Sequence, residues 1–320
     1  MIPDEKSPRA KGETSGRRLA LAEWVTRPDS PADALAARVM VNRIWQHLFG
    51  QGIVDTPGNF GMGGSPPTHP ELLDWLAGEF VRGGRRIKPV IRLLMLSTAY
   101  RQASFRPPLR DSTQVAPHMV DPENKLLWRM RLRRLESEII RDAILSASGK
   151  LDPSMGGPPI LQKVLQGEKF VVATDDLPTR ISSFRRRVYL LGRRNYSLTF
   201  FSVFDHPMMA TNCHQRNHST GVLQSLTMLN DEFVMQQADA VAARVAAAVA
   251  RGTRQPIDFA YRLILLRRPT QQEFDWSSEF LSQQSASYRT ADVAPEDADH
   301  RALAGLCHIL LNSSQFLYVE

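Results

Sequence analysis

Apolar positions recur with helical spacing along most of the chain. The pattern predicts helices from Leu19 to Trp24 and from Leu35 to Phe49, where Val41, Ile44, Trp45 and Leu48 fall at i, i+3, i+4 and i+7. Gly50 follows at the position where a left-handed residue ends a helix. Five glycines and three prolines between Gly52 and Pro67 predict a loop. Thr68-His69-Pro70-Glu71 then has the form of a capping box ahead of the amphipathic run Leu72, Leu73, Leu76, Phe80, which Gly83-Gly84 closes. A further helix is expected from Ile87 to about Gln102. After a proline-containing linker comes the strongest one, Glu123 to Ser148, with Leu132, Leu135, Ile139 and Ala143 as its buried stripe. The stretch 150–195 changes character. β-branched runs at Lys169–Thr174 and Arg187–Leu191 make it the one region of expected β structure. Helices return at Gly221–Ala250, Ile257–Leu266, Gln271–Gln284 and Ala302–Asn312.

The fold class that follows is mainly α: a multi-helical domain with at most a small β-hairpin around residues 169–191. Residues 1–16, polar and without apolar period, read as a disordered lead, and residues 17–320 as a single helical domain with a potential subdivision near 150–195. The five tryptophans, Trp24, Trp45, Trp75, Trp128 and Trp276, each fall in a helical stretch and are assigned to core packing.

Composition narrows the picture. At 320 residues and 42% hydrophobic content the chain has ample material for a core. No apolar run approaches the roughly 20 residues of a membrane span, and the first residues lack the apolar stretch of a signal peptide. Cys213 and Cys307 belong to no Cys-x-x-Cys pattern, so this chain encodes no haem attachment or zinc ribbon of its own. The net charge of +7 raises the question of nucleic acid. Its excess lies in residues 1–150, however, and arginine, which supplies most of it, pairs with carboxylates as readily as with phosphates. Nucleic-acid binding is therefore the least favoured reading.

Candidate chemistry is sparse. Gly58–Gly64 lacks the flanking strand and helix of a dinucleotide loop and the Gly-Lys-Ser/Thr of a phosphate loop, so it reads as a turn-rich connection. His206, Cys213, His214 and His218 crowd together near Asp205, but Ala210-Thr211-Asn212 does not read as helix and no His-Glu-x-x-His follows. Metal binding is thus the lesser reading of that cluster. Arg129, Arg131, Arg133, Arg134 and Arg141 interleave with Glu136, Glu138 and Asp142. On one helix, Arg134–Glu138 and Glu138–Arg141 would satisfy each other. Arg185–Arg187 and Arg193-Arg194 flank an expected strand and read as edge protection. No Gly-x-Ser-x-Gly elbow is present.

One string is specific. Leu35-Ala-Ala-Arg-Val-Met-Val-Asn-Arg-Ile-Trp-Gln-His-Leu-Phe-Gly50, followed by Gly52-Ile-Val-Asp-Thr-Pro57 and Pro67-Thr-His-Pro-Glu-Leu-Leu-Asp-Trp-Leu76, resembles the planctomycete-type domain of unknown function 1553. Ser97–Gln102, Arg133–Glu138, Arg141-Asp142, Phe204-Asp205, Arg216 and Ser219-Thr220 extend the likeness. The resemblance implies the C-terminal module of a periplasmic or cell-envelope protein, with a c-type cytochrome domain and a second domain of unknown function upstream. Any haem c would sit in that upstream domain and no cofactor in this chain. On the resemblance, Asn42, Arg43, His69, Glu71, Arg133, Glu136, Arg141, Asp142, Asp205 and Arg216 are the candidate pocket or ion-pair residues. The leading expectation is an accessory module binding the upstream domains or an anionic ligand such as an acidic polysaccharide. The competing one is a hydrolase built around His69, Asp205 and Arg216.

Overall fold

The computed structural model describes residues 16–105, 115–165, 169–173, 182–192, 197–207, 213–252, 255–291 and 293–319. The expected lead, Ala210–Asn212 and Arg193-Arg194 lie outside the described residues, Gly16 excepted. Among these residues the chain is mainly α, with thirteen helices and two small antiparallel sheets, and no helix is long and apolar enough to cross a membrane. It divides into two compact units at Leu132 and Arg133.

Unit 1 contains α1 (Arg17–Thr26), α2 (Pro31–Phe49), α3 (Pro70–Arg82), α4 (Ile87–Met95) and the single turn α5 (Pro117–Val120). Helix α2 starts on Ser30, whose hydroxyl accepts the Asp33 amide, and stops on left-handed Gly50 at φ 86°. Its face of Ala37, Val41, Ile44, Trp45 and Phe49 packs with Leu73, Leu76 and Phe80 of α3 and Val90 and Leu94 of α4. Trp45 and Phe49 stack at 4.0 Å. Trp45 is the one buried tryptophan. Trp24, Trp75 and Trp276 lie on outward helix faces, and Trp128 sits half-buried in a turn where its indole donates to the Asp121 carbonyl. The Thr68–Glu71 capping box does not form: His69 is the N-cap, Pro70 occupies the first turn, and the Thr68 hydroxyl donates to the Ile53 carbonyl, closing the 53–68 loop. The glycine-rich turn inside that loop closes on itself, Asn59 Oδ1 accepting the Gly61 amide and Thr56 Oγ1 the Ser65 amide.

Unit 2 contains β1 (Arg133–Arg134), α6 (Ser137–Ser148), β2 (Gln162–Leu165), β3 (Lys169–Val172), α7 (Thr199–Val203), α8 (Val222–Asn230), α9 (Glu232–Ala250), α10 (Pro256–Ile264), α11 (Gln271–Thr290), α12 (Pro295–Leu311), α13 (Ser314–Leu317) and β4 (Tyr318–Val319). Its core joins Ile140 and Ile144 of α6, Val234, Val241 and Val245 of α9, Ile257 and Ile264 of α10 and Leu306 and Leu310 of α12. β2 and β3 form the hairpin, and β1 pairs with β4. The hairpin thus spans 162–172 rather than 169–191: the expected β run Arg187–Leu191 is a 3-10 turn at Arg187–Tyr189, with Leu190 in an isolated bridge to Ile160.

Three expected helices differ: the one from Ile87 to about Gln102 ends at Met95, and two others are interrupted. The Glu123–Ser148 helix begins only at Ser137. Upstream, Asp121 accepts the Lys125 and Leu126 amides, the Asn124 amide group donates to the Arg129 carbonyl, and Asn124 and Leu127 are left-handed. Such local side-chain bonds divert the backbone from a helix. The buried stripe of α6 is consequently Ile140, Ile144, Leu145 and Ala147, with Leu132 and Ile139 exposed. The Gly221–Ala250 run breaks at extended Asp231, which caps α9 by accepting the Phe233 amide.

Candidate functional site

The first turns of α6 place Glu138, Arg141 and Asp142 on adjoining positions of one face. Around them stand Arg134 of β1, Arg187 of the 3-10 turn, the Asp205-His206 turn after α7, and the returning segment that carries Arg216 and Ser219. The result is a set of closed ion pairs.

Arg134 is almost fully enclosed, 3% exposed at its side chain, and its Nη2 lies 2.6 Å from Asp205 Oδ2 while the guanidinium stacks over the Phe204 ring. Asp205 adopts left-handed backbone, φ 57°, and also accepts the Ser219 amide and hydroxyl, each at 2.8 Å. Gln224 Nε2 donates to the Ser219 and Val203 carbonyls, fixing the same turn. A non-glycine residue with positive φ is held only where its surroundings over-determine it, and three donors on one carboxylate do so.

Arg216 grips Glu138 with both terminal nitrogens, at 2.8 and 3.0 Å, and reaches Glu136 at 3.3 Å. Burial works to raise the Glu138 carboxyl, but the Arg216 bonds and charge, with the Ser137 hydroxyl, overcome it and hold the group at about 2. The partner shows the reciprocal effect: burial lowers Arg216, and Glu138 and Glu136 more than restore it. His206 lies 3.4 Å from Glu138 and accepts from Arg187 Nη2 at 3.1 Å. Because arginine only donates, the neutral ring with Nε2 unprotonated is the form that can accept this contact. Burial, aided by the charges of Arg187 and Arg216, pushes its pKa down.

Asp142 accepts the Arg187 amide at 2.9 and 3.1 Å, and burial raises its carboxyl. Arg141, 4% exposed, donates through Nη1 to the Arg185 carbonyl and at 3.4 Å to Asp142, and through Nη2 to the Ser183 carbonyl. Burial lowers it to about 10. Arg185, read from sequence as strand-edge protection, is instead buried, stacked on Tyr189 at 3.8 Å and bonded to the Ser154, Gly156 and Pro158 carbonyls.

Of the ten candidate residues, unit 2 therefore brings together Glu136, Arg141, Asp142, Asp205 and Arg216, while Arg133 lies beside Arg134 in β1. The other four belong to unit 1. Asn42 is fully buried and forms a two-way clamp with the Val54 backbone. Arg43 and Glu71 are exposed, and His69 Nδ1 contacts the Thr68 hydroxyl at 2.9 Å. The expected Arg134–Glu138–Arg141 ladder is not what forms, since Arg134 and Glu138 are not on one helix: their partners, Asp205 and Arg216, lie about 70 to 80 residues downstream in sequence. Among the described residues no group of three His, Cys, Asp or Glu stands close enough to hold a metal ion. Cys213 and His214 are exposed, and the Cys213 thiol donates to the Gln215 carbonyl.

Sequence reasoning missed an aromatic-lined cleft of unit 2, about 380 Å³, between the β2–β3 hairpin, α7 and the start of α9. Phe170, Val172, Phe200, Phe201 and Phe233 line it, with Arg141 in its wall. Its only linear trace is the cluster Leu198, Phe200, Phe201. The other aromatics are contributed by distant segments.

Comparison with known proteins gave one match: a family model described as protein of unknown function (DUF1553) covers residues 17–281. No curated protein and no solved structure matches the chain.

Proposed function

The chain thus belongs to the DUF1553 family, and we propose that its second unit is a non-catalytic binding module whose aromatic cleft receives an anionic ligand. In this reading the module serves an extracytoplasmic, cytochrome-linked protein, and any redox chemistry belongs to a haem domain upstream. The observation that carries the reading is the division of labour in unit 2. The carboxylates that would have to act in a hydrolase are spent: Asp205 holds Arg134 and Ser219, Glu138 holds Arg216, and Asp142 holds the Arg187 amide. The cleft beside them offers an aromatic wall with Arg141 and Lys163 as its cations and Asp231 and Glu232 at its edge near the start of α9. Concave apolar sites with a few placed polar groups are the usual form of small-ligand sites, and about 380 Å³ falls in their size range.

The fluorescent aromatic sulfonate 8-anilino-1-naphthalenesulfonate is a suitable probe. It should bind the native chain at one site and weaken at least tenfold in Phe201→Ser. Undiminished binding by that variant would remove the cleft from consideration. Turnover of p-nitrophenyl acetate that disappears in a folded Asp205→Asn variant would replace the module reading with the hydrolase one.

A further inference from the structure

Of the polar side chains that line the cleft, the buried Arg141 identifies the ligand class more narrowly, on the premise that the cleft is the binding site. Arg141 is buried, yet two of its three hydrogen bonds go to backbone carbonyls and its one carboxylate contact, Asp142, is long at 3.4 Å. Asp142 is meanwhile engaged by the Arg187 amide. A guanidinium has five N–H donors. The three bonds leave the Nε–H and one Nη2–H, on adjacent nitrogens, without a hydrogen bond among the described residues. Nε and Nη2 are also the two nitrogens on which a carboxylate can sit side-on.

The cleft's own acids do not fill the role. Asp231 accepts the Phe233 amide at the start of α9, and Glu232, exposed, accepts from Gln236. Phe233 lies under the Arg141 guanidinium at 5.7 Å, so the apolar body of a ligand and its charged end would meet neighbouring surfaces. The desolvation that drops Arg141 to about 10 is the cost a bound anion would offset.

We infer that the cleft binds a small apolar monocarboxylate, its hydrocarbon or phenyl body against Phe170, Phe200, Phe201 and Phe233 and its carboxylate on Arg141.

Calorimetric titration of the intact chain with decanoate, decanol and glucuronate tests this. Decanoate should bind at least tenfold more tightly than decanol, and glucuronate more weakly than both. Arg141→Met should lose the tenfold preference while keeping decanol affinity. Because that change also removes two carbonyl contacts, the wild-type comparison of decanoate with decanol decides the matter if the variant does not fold. Equal affinity for decanoate and decanol would overturn the carboxylate assignment and leave the cleft as a binding site. Tighter binding of glucuronate would overturn the apolar assignment. Binding of none of the three, in a chain that still binds the aromatic sulfonate, would overturn the ligand class alone, whereas failure with both probes would overturn the cleft itself.

Discussion

Asn42 offers the sharpest separation of a ligand-binding residue from a structural one. Its side chain is fully buried, its Oδ1 accepts the Val54 amide at 2.8 Å and its Nδ2 donates to the Val54 carbonyl at 3.0 Å. The amide thereby imitates a neighbouring strand and pins the loop that leaves α2. Asn42→Ala would strand both Val54 groups, and Val54 is itself 3% exposed, so water does not replace the lost bonds. An unsatisfied buried backbone group costs about 1–3 kcal/mol, so the pair predicts a loss of about 2–6 kcal/mol. Gly52 supplies an independent check. A Cβ there would sit 2.5 Å from the Val54 carbonyl oxygen and 2.8 and 2.9 Å from the two Asn42 side-chain atoms. Gly52→Ala should therefore damage the same clamp by pushing it open. Guanidinium denaturation followed by tryptophan fluorescence reads both, since Trp45 lies in the adjoining core. A loss under about 1 kcal/mol for Asn42→Ala would refute the two-group argument, and a ligand-binding defect at unchanged stability would return Asn42 to the list of site residues.

The ion pairs and thiols make further checks. Glu138 is held at about 2, below its ordinary 4.5, so its stabilising contribution is complete above pH 4.5 and is lost as the pH falls toward 2; Arg216→Ala should move acid unfolding, followed by circular dichroism, to higher pH. His206 is depressed, so the unfolded chain takes up its proton first and stability should begin to decline as the pH drops through about 6.5. A His206→Gln variant that retained this first decline would show that another group is responsible. Cys213 is exposed, whereas Cys307 is buried in the core with burial pushing its thiol up to about 12. Ellman's reagent should therefore report one fast thiol in the native chain and a second only on unfolding.

Much of the helical framework was legible because its signals are local. The end of α2 on Gly50 and its apolar spacing lie within one stretch of chain, on which the family likeness also rests, whereas its start on Ser30-Pro31 lies ahead of the expected Leu35. Reading failed where side chains compete with the helix: Asp121 and Asn124 tie up the backbone that periodicity assigned to a long helix, and Asp231 divides α8 from α9. It failed as well where a charged residue lay next to a plausible partner. Arg134 and Glu138 look matched at four residues apart, but β1 and α6 point them to different neighbours, Asp205 and Arg216.

The sequence by itself determined that the protein is mainly helical, which apolar positions of α2 and α3 face inward, and which arginines and acids enter ion pairs. Tertiary structure decided their partners. It turned Asn42 into a backbone clamp, closed Asp205 and Glu138 into ion pairs, and gathered Phe170, Phe200, Phe201 and Phe233 around Arg141. The physical reason is range. Periodicity and capping act over a few residues and survive in any linear reading, whereas ion pairing and cavity walls depend on which segments packing brings within about 4 Å.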